Sequence, residues 1–206
     1  MIEKDTYNTV QKPSPEVLYK DKNSKFFGYA FPALNEDEIK VHLENLKKQH
    51  HSAGHFCYAY QLGKQGKDVV FRANDDGEPN NSAGLPIYGQ IQSFEVTNVL
   101  IVVVRYFGST KLGVSGLIKA YKTTAQMALE ASKIVAKTIN IHYLITFEYK
   151  NMNKVMRIIK EKKLKIINQI LEENCQIEIS VRLKRSDVIW DIFKNFHEIN
   201  IKVLND

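Results

Sequence analysis

One stretch of the sequence constrains the fold most: an apolar run from Val99 to Val104 that leads into a loop rich in glycine. The run is too short for a typical helix and rich in valine, so it predicts a buried central strand. Gly108, Gly113 and Gly116 follow, and an amphipathic segment predicts a helix from about Ser115 to Lys133. Since the free N–H groups and the positive dipole end of that helix would face the loop, the stretch predicts a general anion site.

Two nucleotide-binding motifs fail in this loop. The P-loop pattern requires a lysine directly after its second glycine, and Val114 occupies that place. The dinucleotide pattern of G-x-G-x-x-G also fails. The loop therefore implies neither nucleotide-binding family.

Charge and cysteine usage narrow the class of protein. The chain has a net charge of +6 from 29 basic and 23 acidic residues, a mild bias that permits a nucleic acid partner but is equally compatible with a basic protein that binds no polyanion. Cys57 and Cys175 lie far apart without Cys-x-x-Cys spacing, which argues against a disulfide framework or a zinc site. The N-terminus lacks the apolar core of a signal peptide, and no apolar run approaches the roughly 20 residues that span a bilayer. We therefore expect a cytoplasmic protein without membrane contact.

Hydrophobic periodicity predicts two domains, residues 1–135 and 136–206. Asn35 followed by Glu38 is typical of a helix N-cap, and the helix is predicted to continue to about His50. Further elements of the first domain are predicted as strands at 7–10, 17–20, 25–31, 56–62 and 69–72, a turn at 63–66, and a short helix at about 87–94.

The second domain shows the order βαββαβ. Its strands are predicted at 141–149, 164–171, 174–183 and 199–204, with helices at about 152–162 and from Ser186, which is predicted as the helix cap. This order predicts a ferredoxin-like sandwich.

The basic and small residues around the glycine loop are candidates for phosphate binding. Together with the helix N-terminus, a set of cations, hydroxyls and flexible backbone could hold phosphates. In the alternative interpretation, the glycines only permit a tight turn and the lysines are solvated. The candidate residues are Arg105, Gly108, Ser109, Thr110, Lys111, Gly113, Ser115, Gly116 and Lys119.

Three carboxylates lie close together at Asp75, Asp76 and Glu78. They could serve acid/base chemistry or Mg²⁺ binding if they converge, but the alternating ligand spacing of a calcium loop is absent. Alternatively they cap local backbone N–H groups, or they pair with Arg105 or Lys111.

The histidines and cysteine near residue 55 do not form a convincing metal or nucleophile motif. His55 and Cys57 would offer only two ligands on one strand, and the sequence gives the thiol no activating partner. We therefore expect no metal and no cofactor.

Several separate motifs resemble the YigZ/IMPACT family over about residues 15–130. They are Ser24–Tyr29, His55–Tyr60, Asp75–Pro79 with Ala83, Gly84 and Pro86, Arg105–Gly108, Lys111–Gly113 and Gly116–Tyr121. The resemblance marks the loop residues Asp75, Asp76, Gly77, Glu78, Pro79, Ala83 and Gly84 as a family motif. It implies an α+β fold of two domains, an N-terminal α/β sandwich like a ribosomal protein domain and the fourth domain of elongation factor G, and a ferredoxin-like C-terminal domain like the fifth domain of that factor.

The resemblance also implies a function. Such a pair of domains suggests contact with RNA or the ribosome, and eukaryotic relatives are linked to control of translation initiation through protein partners. The leading hypothesis is a non-enzymatic regulator of translation that contacts phosphates without DNA specificity. The alternatives are an enzyme acting on a phosphorylated small molecule and a protein-interaction module. Ser109 and Ser115 depart from the family loop, where glycine is common.

Overall fold

The computed structural model describes residues 5–64 and 68–204 and divides the chain into two compact units. One unit is Tyr7–Lys137, and the other joins the chain from Thr138 onward to the residues that precede Tyr7. The division after residue 137 falls two residues beyond the boundary predicted after residue 135. The turn predicted at 63–66 lies partly outside the described residues.

The first unit is built on a five-stranded antiparallel sheet with the strand order β2-β3-β6-β4-β5. The apolar run predicted as a central strand is the middle strand β6, which confirms that prediction. The elements that lie wholly or almost wholly in this first unit are β1 (Thr6–Val10), β2 (Val17–Asp21), β3 (Ser24–Pro32), α1 (Glu36–Gln49), β4 (His55–Leu62), β5 (Val70–Asn74), α2 (Gly84–Ser93), β6 (Val99–Tyr106), α3 (Gly113–Glu130) and β7 (Ile134–Thr138).

Both faces of β6 are buried, which explains why its sequence is continuously apolar rather than alternating. Val99, Ile101 and Val103 pack in the cluster that includes residues of α2 and α3. Leu100, Val102 and Val104, which point to the opposite face, pack in a second cluster that includes Ile39 of α1. Side chains alternate across a strand, so one strand serves two cores.

A local cap starts α1 as the sequence predicts. The Asn35 Oδ1 atom accepts from the backbone N–H of Glu38 at 2.9 Å. The Glu38 carboxylate reaches back and accepts from the N–H of Leu34 at 2.8 Å. The pair forms a capping box.

A two-stranded sheet of β1 and β7 lies beside the five-stranded sheet in this unit. The sequence predicts β1 but not β7, because the pattern of residues 133–138 indicates a break between domains. The N–H of Gln11 donates to the carbonyl of Lys133 at 2.9 Å. Strand β7 is half exposed and short, so its partner rather than its own pattern makes it a strand.

The second unit has the ferredoxin-like topology that the sequence predicts. Its sheet order is β11-β8-β10-β9, and its core contains Ile145, Ile177 and Phe193. One prediction is wrong in detail: the N-cap of α5 is Arg185, and Ser186 is the first helical residue, with its hydroxyl donating to Leu183 O at 2.7 Å. The elements are β8 (Asn140–Glu148), α4 (Met152–Glu161), β9 (Lys165–Ile170), β10 (Asn174–Arg182), α5 (Ser186–Lys194) and β11 (Ile199–Leu204).

A chain of hydrogen bonds runs through the core beneath α1. Tyr29 donates its hydroxyl proton to Glu16, so its oxygen accepts from His50 Nε2 at 2.6 Å. The His50 Nδ1 atom lies 3.0 Å from the Tyr106 hydroxyl. Burial lowers the pKa of His50, which favours the neutral imidazole, and a neutral ring that donates from Nε2 accepts at Nδ1.

We expect His50 to make the free energy of unfolding depend on pH. Because its pKa is lower in the folded than in the unfolded protein, its contribution is complete above the unfolded pKa of about 6.5 and declines as pH falls through that value toward the folded pKa. Urea unfolding between pH 8 and 5 should show a shallower decline for His50→Gln than for wild type. The exposed His51 offers the control variant His51→Gln. Identical pH slopes for wild type and His50→Gln would contradict the assignment.

Candidate functional site

Asp75 is a capping residue of α2. Its Oδ1 accepts from the backbone N–H groups of Ala83 and Gly84 at 2.9 and 2.8 Å, and its Oδ2 accepts from Asn81 N–H at 2.8 Å. The N-cap residue of α2 is Ala83, which has no side-chain acceptor to satisfy these donors. The carboxylate of Asp75 therefore replaces a local cap from eight or nine residues away.

The carboxylate of Asp76 also accepts a hydrogen bond from a backbone N–H group. Its Oδ2 accepts from the N–H of Phe56 on β4 at 2.6 Å, and its own N–H donates to Asn74 Oδ1 at 2.7 Å. Its backbone has a φ of 42°, and Gly77 follows with a φ of 85°. The turn and cap interpretation therefore describes the contacts of both aspartates.

Glu78 behaves differently, because it is buried and meets a cation. Its Oε1 accepts from Arg105 Nη1 at 2.5 Å and from the Tyr121 hydroxyl at 2.7 Å. The side chains of Glu78 and Arg105 are only 4% and 6% exposed. A buried charge requires a partner, so this pair satisfies both groups. The predicted pairing with Arg105 is confirmed for Glu78 among the three carboxylates.

The neighbouring His55 and Cys57 form hydrogen bonds to the backbone of the same loop. His55 Nδ1 donates to the carbonyl of Asp76 at 2.8 Å, and the Cys57 thiol donates to the carbonyl of Asp75 at 2.9 Å. Burial raises the pKa of Cys57, which keeps it a thiol. Within residues 5–64 and 68–204, no three His, Cys, Asp or Glu side chains come together as ligands for a metal ion.

The three glycines of the loop serve different purposes. A Cβ on Gly108 would lie 2.0 Å from the carbonyl carbon of Asn23, so the close approach of two backbones requires glycine. Gly113 has a φ of 74°, and a Cβ on Gly116 would lie 3.0 Å from the Cβ of Leu112. These contacts give the glycines a structural role, whether or not the loop binds phosphate.

The two serines that depart from the family pattern occupy different backbone conformations. Ser109 has a φ of 64°, where a glycine would be less strained. Ser115 lies in the first turn of α3 and has an ordinary helical backbone, so it needs no glycine. Of the two replacements of glycine by serine, only the one at Ser109 therefore strains the backbone.

The start of α3 is open to an anion. The helix begins at Gly113, two residues before the predicted start, and its N-cap residue Leu112 makes no side-chain cap bond. The first turn of α3 contains no acidic residue, whereas that of α1 contains three. Lys111, Ser115 and Lys119 are exposed beside or along this turn. Free N–H groups and cations therefore share one surface.

A cavity of about 250 Å³ lies between the Glu78–Arg105 pair and the start of α3. Five of its lining residues are apolar, and Lys111 is the cation among them apart from Arg105. Glu78 lines this cavity together with residues of the glycine loop. Asp75 and Asp76 are not among its lining residues. The lining residues are Glu78, Pro79, Arg105, Phe107, Lys111, Leu112, Gly113, Val114 and Leu117.

Arg105 forms the polar floor of this cavity. Its guanidinium lies 5.5 Å from the ring centroids of Phe26 and Phe107. No acceptor among the described residues lies within hydrogen-bond distance of its Nε. The sequence predicts Arg105 as a phosphate contact or as a partner of the acidic loop, and the structure holds it buried against Glu78.

The sequence reasoning missed Tyr121 and Phe107 as site residues. Periodicity places Tyr121 on the apolar face of α3, and its hydroxyl contact with Glu78 follows only from the packing of α3 on the sheet. Phe107 is 59% exposed, and its place between the end of β6 and Gly108 is the signal that could have identified it. What distinguishes Phe107 from other exposed apolar residues is that it lines the cavity beside Arg105.

The architecture is that of an α+β protein of two units. The first unit has a buried Glu–Arg pair beneath a glycine loop, and the second unit is ferredoxin-like. The Impact N-terminal domain family matches residues 22–129, more than half of the chain. The chain belongs to the IMPACT family.

Individual relatives agree with this membership. The IMPACT family member YvyE of Bacillus subtilis strain 168 is 29% identical over 182 residues, which cover 88% of this chain and 82% of the relative. The IMPACT family member YigZ of Escherichia coli K12 is 30% identical over 152 residues, 74% of each chain. The crystal structure of a hypothetical protein shares the fold, with a TM-score of 0.72, 24% identity and coverage of 99% of this chain and 100% of that one.

The helices of the described residues differ from membrane spans in length and hydropathy. None of them is both long and apolar enough to cross a membrane.

Proposed function

We propose that this protein regulates translation without catalysing a reaction, by contacting the phosphates of RNA or of the ribosome. The contact surface is the loop–helix surface, which we define as Ser109, Thr110, Lys111, Ser115 and Lys119. Membership of the IMPACT family supports the biological role, because the resemblance to this family implies control of translation. The physical role is supported by the chemistry of the surface itself.

The observation that carries the proposal is the start of α3. The helix presents free N–H groups without a side-chain cap or an acidic first turn, and two exposed lysines accompany them. Beneath them, the buried Arg105 lines the adjoining cavity. The N–H groups and the lysines attract an anion, as phosphate sites require.

Arg105 takes a different role in this proposal from Lys111 and Lys119. Its Nη1 is held by Glu78, so it supports the loop from beneath instead of reaching an exposed phosphate. The exposed lysines supply the sequence-independent affinity. Binding through such contacts releases counterions and weakens as salt rises.

We expect the variant Lys111→Ala/Lys119→Ala to bind RNA more weakly and with less dependence on salt. Each lost phosphate contact should reduce the slope of log affinity against log salt by about 0.7–0.9, so the double variant should lose about 1.4–1.8. Fluorescence anisotropy with a labelled ribosomal RNA fragment at several salt concentrations measures both quantities. Cosedimentation with purified ribosomes tests the same variant on the assembled particle.

The exposed lysines of α1 provide a charge-matched control. The variant Lys47→Ala/Lys48→Ala removes the same charge from another face of the unit and should keep the wild-type slope. Equal slopes for the two double variants would show that net charge, not the loop–helix surface, is responsible. If wild type binds neither RNA nor ribosomes, the proposal is wrong, and recovery of a stoichiometric protein partner after nuclease treatment would favour a protein-interaction module.

A further inference from the structure

We infer that the cavity beneath the loop–helix surface takes one unstacked nucleobase, with the attached phosphate held at the start of α3. This inference rests on the proposed function and names the part of the RNA that the site recognises. It predicts a preference for single-stranded RNA over duplex, which phosphate contacts alone do not explain.

The size and walls of the cavity fit a base. Its volume is about 250 Å³, and Pro79, Leu112, Val114 and Leu117 supply apolar walls. The flat faces of a base are apolar and favour such surroundings. A phosphate or a metal ion alone would leave these walls in contact with water.

An exposed aromatic ring at the same cavity offers a stacking platform. Phe107 lines the cavity and is 59% exposed, although it lies directly after the central strand. Proteins that bind single-stranded RNA stack unpaired bases on such rings. The Arg105 guanidinium lies 5.5 Å from the Phe107 ring centroid, which places a planar cation beside the platform.

Two buried polar side chains, Arg105 and Glu78, line the cavity. The Arg105 Nε proton is buried and lacks an acceptor among the described residues, whereas Glu78 already accepts from Arg105 and Tyr121. Leaving a buried donor unpaired is costly, and each base offers a ring nitrogen or carbonyl oxygen that can accept from it once the side chains at the cavity adjust.

The rim suits the phosphate that accompanies the base. Lys111 and Gly113 line the cavity, and Gly113 is the first residue of the uncapped helix α3. One nucleotide thus meets an apolar slot, an unpaired donor and a cationic rim in a single site. Neither a free anion nor an apolar side chain would use all three.

The inference is tested with three labelled probes: a single-stranded RNA, the same strand with abasic residues and an equal number of phosphates, and the fully paired duplex, which carries twice as many phosphates. Wild type should bind the single strand about tenfold to hundredfold more tightly than the abasic strand, the range expected from stacking a base on an aromatic ring. Phe107→Ala should remove most of this preference, and Val114→Trp, which fills the cavity, should do the same. Both variants should keep the salt slope of wild type.

The exposed Tyr149 of the second unit gives a matched aromatic control, since Tyr149→Ala should keep the preference. Unchanged far-UV circular dichroism and unfolding midpoints establish that each variant is folded. If the single strand and the abasic strand bind wild type equally with an intact salt slope, or if the duplex binds as tightly as the single strand, the base site is wrong while the phosphate surface stands. If none of the probes binds, both are wrong.

Discussion

Replacing Glu78 by glutamine lowers the free energy of unfolding of the first unit by about 3–5 kcal/mol, because it leaves the buried charge of Arg105 without a counter-charge. Glutamine preserves the shape of the side chain and an oxygen for the Tyr121 hydroxyl. The loss therefore reports the missing charge more than a missing contact. Hydrogen exchange of the β6 amides measures it in the first unit, whereas fluorescence of the single tryptophan, Trp190, reports the second unit.

A second substitution tests the electrostatic origin of this loss. The variant Glu78→Gln/Arg105→Met contains no unpaired buried charge and should be more stable than Glu78→Gln alone. Tyr121→Phe removes one hydrogen bond to Glu78 without altering charge and should cost only about 1–2 kcal/mol. The comparison also needs Arg105→Met alone. If the free energy of unfolding lost in the double variant equals the sum of the losses in Glu78→Gln and Arg105→Met, Glu78 and Arg105 do not act as a pair.

Replacing Gly108 by alanine lowers the free energy of unfolding by about 2–4 kcal/mol, because the new Cβ would lie 2.0 Å from the backbone of Asn23. The contacting atoms are backbone, so the turn between β2 and β3 must move away from the loop. Amide exchange of β3, which borders that turn, should accelerate together with that of β6.

Two other glycines separate this backbone contact from general effects of glycine replacement. Gly89 lies within α2, and a Cβ added there would meet no atom of another element within 4 Å, so Gly89→Ala should stabilise the unit by about 0.5–1 kcal/mol. Gly113 also has open space but a φ of 74°, so Gly113→Ala should cost about 1–2 kcal/mol. A Gly108→Ala variant no less stable than Gly113→Ala would contradict the close approach.

Local patterns in the sequence predict much of the fold because neighbouring residues determine them. The continuous apolar run identifies β6, and the Asn35–Glu38 spacing identifies the start of α1. The order of elements after residue 138 identifies the ferredoxin-like sheet, since βαββαβ units close in few ways. The glycine spacing and the acidic loop likewise identify the two segments that meet at the candidate site.

Which partners those segments take was decided only by the tertiary structure. The sequence leaves open whether Asp75, Asp76 or Glu78 pairs with a cation, and whether Arg105 contacts phosphate or one of these carboxylates. Glu78 lies 27 residues from Arg105 and 43 residues from Tyr121, so only the packing of β6 and α3 brings the three together. Strand β7 escapes prediction for the same reason, because its pairing with β1 joins opposite ends of the unit. The sequence alone determined the local elements, which depend on nearby residues, whereas contacts between distant residues set the burial and pairing of charge at the site.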